Sequence, residues 1–179
     1  MRKFPVVYMR GGTSKGCLFH REDLPEDPKA WDEIFLQVMG NPDPKQMDGM
    51  GGTVSSNNKI VVIWKSDKPN VDIEYLVGQV IVGKKQVDYK SNCGNMTAAV
   101  PAYAVEEGMV PIVEPVTTVR MLNKNTDKFI NVTVPIDPRT HTFAQEGSCH
   151  IAGIDGTAAE LKVNFLDPAG AKTGKLLPT

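Results

Sequence analysis

The sequence predicts an α+β domain in which a strongly curved, largely antiparallel sheet wraps a central buried helix. Three observations carry that prediction. Short β-type runs recur from Phe4 to Leu166, separated by turn-forming residues. Only two stretches have helical character. In one of them Met96, Ala98, Ala99, Val100, Ala102, Tyr103, Ala104 and Val105 are apolar almost without interruption, so that helix has no solvent face. It is also too short for a membrane span, which needs roughly 20 residues.

In chain order, Phe4–Met9 is a β-type run centred on Val6, Val7 and Tyr8. It ends in Arg10-Gly11-Gly12-Thr13-Ser14-Lys15-Gly16. This turn does not match a phosphate loop of the form GxxxxGK[ST], because Cys17 follows Gly16. It reads either as a plain turn between strands or as a nest whose N–H groups, with the Thr13 and Ser14 hydroxyls, hold a carboxylate. Asp27-Pro28 opens an amphipathic helix with Asp27 as N-cap. Trp31, Ile34, Phe35, Val38 and Met39 form its apolar stripe, and Gly40 and Pro42 end it. No chemistry is assigned to this surface helix.

A second glycine-rich polar loop, 48–58, delivers Lys59 to the start of the apolar strand Ile60–Trp64. A lysine there is either simply solvated or faces a polar pocket. Val71–Val82 reads as a longer strand, bent at Gly78. A Gly83-Lys84-Lys85 turn and Val87-Asp88-Tyr89 lead into the central helix. That helix opens at Ser91-Asn92-Cys93-Gly94-Asn95, contains Pro101, and meets a potential left-handed stop at Gly108. A thiol at a helix mouth sits among unpaired N–H groups at the positive end of the dipole, which favours thiolate and a bound carboxylate. The bland alternative is an inert buried cysteine, but polar Asn92, Gly94 and Asn95 are not what such a cysteine needs. Val116–Leu122 and Phe129–Val134 then form a hairpin around Asn123–Asp127, and Thr140–Gln145 and Leu161–Leu166 add two strands.

Composition narrows the function classes. The 179 residues suit one domain, and 41% hydrophobic content supports a real core. With 20 basic and 21 acidic residues, net charge is −1, so no global field points to nucleic acid or an anionic membrane. Cys17, Cys93 and Cys149 form neither an even disulfide framework nor a CxxC pair, which fits a reducing, cytoplasmic compartment. His20, His141 and His150 show no metal-ligand spacing, so no metal site is expected. The N-terminus has no apolar run of signal-peptide length.

Five motifs in order carry a resemblance: MRGGTSKG (9–16), MDGMGG (47–52), Lys59 before an apolar strand, NCGN (92–95) and DPAGAKTGKLLPT (167–179). Together they closely resemble the 2-methylaconitate cis-trans isomerase (PrpF) family, which includes 3-methylitaconate isomerases and 4-oxalomesaconate tautomerases. The resemblance covers nearly the whole chain. It implies the diaminopimelate epimerase-like fold, two similar domains each with a β-barrel-like sheet around a central helix, and an active site in the cleft between them. Residues 1–166 would be the N-terminal domain, and 167–179 the start of a linker to a second domain.

The resemblance also implies residue roles. Lys59 and Cys93 would be the catalytic pair. Thr13, Ser14, Asn92, Gly94 and Asn95 would contact a small di- or tricarboxylate. Asn58 stands where the family usually has Ser or Thr; its amide can still donate to a carboxylate, although with a different donor pattern. The implied reaction is an allylic proton shift or cis-trans isomerisation by acid/base transfer, without redox cofactor or metal. Partners would be the small polycarboxylate and either a second domain or a second copy of the chain, with neither nucleic acid nor membrane involved. Two rivals remain: a non-catalytic module that keeps the fold, and an amino-acid epimerase or racemase. The latter uses a cysteine from each half, so a Lys59–Cys93 pair within one domain argues against it.

Overall fold

A computed structural model describes residues 3–167, 169 and 175. The expected linker, 167–179, lies outside the described residues except at Asp167, Ala169 and Lys175.

The chain opens with a tight hairpin. Strands β1 (Val7–Gly11) and β2 (Ser14–His20) run antiparallel, with Gly11 opposite Ser14. Only Gly12 and Thr13 connect them, and Gly12 takes φ +51°, a conformation glycine enters without a side-chain clash. β1 therefore lies further along than the expected 4–9. β2 was not expected at all: its apolar run, Cys17-Leu18-Phe19, is short and stands behind glycine and lysine, yet all three side chains are fully buried.

The first helix forms as its caps dictate. Asp27 Oδ1 accepts from Lys29 N at 3.0 Å over a single 3-10 turn, Pro28–Ala30. Helix α1 (Trp31–Met39) continues from it and stops at Gly40, φ +77°. Next come β3 (Lys59–Lys65), β4 (Ile73–Val80), β5 (Val87–Asp88) and helix α2 (Gly94–Glu106). Strands β6 (Val116–Asn123), β7 (Lys128–Asp137), β8 (Thr142–Phe143) and β9 (Lys162–Phe165) complete the described fold. Of the run expected over 140–145, only Thr142–Phe143 pairs.

The strands form one sheet in the order β1-β2-β3-β4-β6-β7-β8, with β5 beside β4 and β9 beside β7. Six of the eight pairings are antiparallel; β2–β3 and β4–β6 are parallel. A parallel pair needs a crossover, and here each crossover contains one of the two helices. Strand β3 is buried on both faces, which explains its uninterrupted Ile60-Val61-Val62-Ile63. Leu18, Val61 and Ile63 point to α2; Phe19, Ile60 and Val62 point to α1, the alternation a strand imposes. Both ends of the sheet, β1 and β8, touch α2, so the sheet curls around it as expected.

α2 is buried from Met96 through Val105 apart from the half-buried Ala98. It continues through Pro101, whose ring removes the N–H that Thr97 O would otherwise receive. Gly108, φ +62°, ends it: Gly108 N donates to Val105 O at 3.1 Å, and Met109 N to Ala104 O at 2.8 Å.

Candidate active site

The α2 N-terminus faces the β1–β2 hairpin. Cys93 is the N-cap residue, in an extended conformation, and its side chain makes no capping hydrogen bond. Its Sγ stands 4.0 Å from Ser14 Oγ. Asn95, in the first turn of α2, clamps the hairpin: its Nδ2 donates to Thr13 Oγ1 at 3.1 Å and Ser14 Oγ at 3.2 Å, while Oδ1 accepts from Thr13 N at 3.2 Å. The contact is too close for side chains on the hairpin. A Cβ on Gly11 would stand 2.3 Å from Asn95 O, and one on Gly12 2.2 Å from Asn95 Oδ1. The GGTS and NCGN motifs are thus two halves of one structure.

Lys59 opens β3 opposite Gly16 of β2 and Gln79 of β4. Gly16 again permits the approach, since a Cβ there would meet Lys59 O at 2.0 Å. Ser14, Gly16 and Leu18 alternate onto one face of β2, and Leu18 packs on the α2 side. Lys59 and Val61 share that face of β3. Ser14 therefore lies one strand across and two residues along from Lys59, about 8 Å between Cα atoms by sheet geometry. The Lys59 amine is hydrogen-bonded to Gln79 Oε1.

Ser14, Thr13, Cys93, Gly94, Asn95 and Lys59 are thus gathered at one end of the α2 face. Asn58 is not. It is fully buried, its Nδ2 donates to Val54 O at 2.9 Å, and its Oδ1 accepts from Gln46 Nε2. Both ends of its amide are spent fixing the 46–58 loop. Asn92 acts as a strut: its Oδ1 accepts from Thr97 Oγ1 at 3.2 Å and Asn123 Nδ2 at 3.1 Å. Tyr75 OH meets Thr97 Oγ1 at 2.9 Å, and Asn125 bonds Asn123 while holding the Val77 backbone. Sequence reasoning missed Gln79, Tyr75, Thr97, Asn123 and Asn125. The two asparagines carried only a turn signal, and nothing local reveals that Asn123 reaches back to Asn92 or that Asn125 supports it.

Burial pushes the Tyr75 hydroxyl up to about 12, so it stays a neutral hydrogen-bonding group beneath the mouth. Burial likewise pushes the Cys17 thiol up to about 12. All three cysteines are free. Among the described residues, no group of three or more His, Cys, Asp or Glu side chains is placed to hold a metal ion. A cavity of about 630 Å³ lies elsewhere, between β1, the flank of α2 and the 143–161 segment. It reaches Gly11 and Gly12, and Arg10, Glu106 and Asp155 line it among apolar side chains, but Ser14, Lys59 and Cys93 do not. The helix mouth concentrates anion-binding donors and a thiol; the cavity has volume without that convergence, so we place the candidate site at the mouth.

The class is an α+β domain in which a mixed sheet wraps a helix carrying a thiol at its open N-terminus, with a lysine at the start of β3. The chain belongs to the PrpF family, whose profile, described as PrpF protein, matches residues 1–179. It is 43% identical over 184 residues to the 2-methyl-aconitate isomerase of Shewanella oneidensis, covering 97% of this chain and 46% of that one. It is 42% identical over 177 residues to the 4-oxalomesaconate tautomerase of Pseudomonas putida, covering 99% of this chain and 48% of that one. The crystal structure of a methylitaconate-delta-isomerase matches 97% of this chain and 44% of its own, with 39% identity and a TM-score of 0.91. The chain spans about half the length of the curated relatives it matches. No helix among the described residues is long and apolar enough to cross a membrane.

Proposed function

We propose that this chain is the N-terminal domain of an isomerase of small unsaturated di- or tricarboxylates, acting by an allylic proton shift or cis-trans isomerisation of the 2-methylaconitate or methylitaconate type. The observation that supports it most is the convergence of Ser14, Asn95, Cys93 and the α2 N-terminus beside Lys59. In this reading one substrate carboxylate is held by the Thr13 and Ser14 hydroxyls and by N–H groups of Gly94 and Asn95. One member of the Lys59–Cys93 pair removes a proton from the carbon next to the double bond. The electron pair delocalises across the allylic system toward a carboxylate, where the helix-mouth donors stabilise the charge. A proton then returns at the other end of the system, or at the same carbon after bond rotation. Atoms balance without redox partner or metal.

A second reading, a 4-oxalomesaconate-type tautomerase, rests on equal similarity to such a relative. It uses the same proton transfer on a keto-enol system. In either reading residues 1–166 form one wall of the site. A second domain, reached through a linker at 167–179, or a second copy of the chain forms the other. Free thiols support a cytoplasmic setting.

The test compares this chain with a longer protein that carries it, following isomerisation of each candidate substrate by ultraviolet absorbance, with light scattering for oligomeric state. The expected result is turnover by the longer protein and none by a folded 179-residue monomer. No turnover by either, with every candidate acid, leaves a non-catalytic module.

A further inference from the structure

We infer that Gln79 is the positioning residue of Lys59: its side-chain nitrogen, with two N–H donors, sits among three backbone carbonyls, and its side-chain oxygen fixes the lysine amine at the start of β3. This rests on the proposed catalytic role of Lys59. Gln79 lies directly opposite Lys59 across the β3–β4 ladder, on the same face. Its Nε2 is 3.1 Å from Ser55 O, 3.1 Å from Asn58 O and 3.0 Å from Val80 O. Carbonyl oxygens only accept, so the amide nitrogen must face them and the orientation of the group is decided by chemistry. The amide oxygen then has one direction left, and the Lys59 amine occupies it.

Two of the three carbonyls belong to the turn that leads into Lys59. Gln79 therefore holds the lysine at both ends, its backbone approach through Ser55 and Asn58 and its tip through Nζ. A lysine side chain otherwise samples many rotamers, and a site that transfers a proton needs its groups held in place. The acceptor is also neutral. A carboxylate at this position would pair with the amine and compete with an anionic substrate; an amide restrains the amine without cancelling its charge. One of three amine donors is used, and two remain for a ligand.

The competing view is that Gln79 only ties the turn to β4 and the lysine tip is free. Lysine-selective NMR of the 179-residue chain separates the two. The Lys59 amine should show restricted motion and a coupling across the hydrogen bond to the Gln79 side-chain carbonyl, while Lys65, exposed at the far end of the same strand, should be mobile. In Gln79→Met, which keeps length and removes the amide, the Lys59 amine should become as mobile as Lys65. In the longer protein the same substitution should lower kcat about tenfold or more with KM changed less than about twofold. A Lys59 amine as mobile as Lys65 in the unsubstituted chain overturns the inference, even if Gln79→Met does not fold; so does an unchanged amine in a folded Gln79→Met. If the longer protein has no isomerase activity the proposed function fails, and the NMR result still decides the role of Gln79.

Discussion

The two helices lie on opposite faces of one sheet and begin in opposite ways. The α1 end is closed: Asp27 caps the 3-10 turn that leads into it, and Asp32 and Glu33 place negative charge in its first turn. The α2 end is open: neither helix's own N-cap residue, Ala30 or Cys93, makes a side-chain capping bond, but α2 has no capped turn before it and no acidic residue in its first turn. Asn95, in the first turn, spends its side chain on the Thr13–Ser14 hairpin. Gly94 is exposed and Cys93 and Asn95 are half-buried, so the uncapped N–H groups of α2 are accessible to a ligand, and the proposed carboxylate site rests there.

The largest effect expected on the closed side is in the core. Phe35 of α1 is fully buried against the sheet, its ring 5.4 Å from that of Phe19. Phe35→Ala should cost about 3–5 kcal/mol of stability, measured by urea unfolding, while Cys93 labelling in the folded state stays unchanged. A loss of Cys93 reactivity without global unfolding would show that the two faces are not independent.

On the open side, Lys59→Ala and Cys93→Ser in the longer protein should each lower kcat by on the order of 10² or more with the fold retained. Near-normal turnover in Lys59→Ala would return that residue to the role of a solvated lysine at a strand start. Thiol reactivity gives a smaller but independent contrast. Cys17 is fully buried and its thiol is pushed up to about 12, whereas Cys93 is half-buried at the mouth. Iodoacetamide near neutral pH should label Cys93 more than about tenfold faster than Cys17, and faster than Cys149, read by mass spectrometry. Faster labelling at Cys149 would point to the 630 Å³ cavity that it lines as the reactive region.

The smallest effect belongs to the α1 cap. Asp27→Ala should cost about 1 kcal/mol, visible as a lowered urea midpoint, with kcat in the longer protein untouched.

The contrast between the helices also explains what was legible in the sequence. α1 was readable because its signals are local: Asp27-Pro28 at the start, a stripe at helical spacing, Gly40 at the end. α2 was readable because an unbroken apolar run can only be buried. Strand β2 escaped because Gly16 and Lys15 hide a run whose burial depends on β1 and β3. The placement of Ser14 and Cys93 followed from motif chemistry, but the supports did not. Gln79, Asn123 and Tyr75 act across strands, and a side chain's cross-strand partner is set by register that no local pattern encodes. Asn58 shows the converse: a polar residue beside the candidate lysine looked available for a ligand, but it is fully buried, its Nδ2 donates to Val54 O and Gln46 takes its oxygen.

The most direct test is a crystal structure of the longer protein with a non-isomerisable dicarboxylate analogue bound. A carboxylate within hydrogen-bond distance of Ser14 Oγ and the Gly94 and Asn95 N–H groups, with the carbon skeleton between Lys59 Nζ and Cys93 Sγ, is the predicted result. An analogue seated instead in the cavity against Met9, Tyr103 and Phe143, leaving the α2 mouth empty, would contradict the assignment of the site.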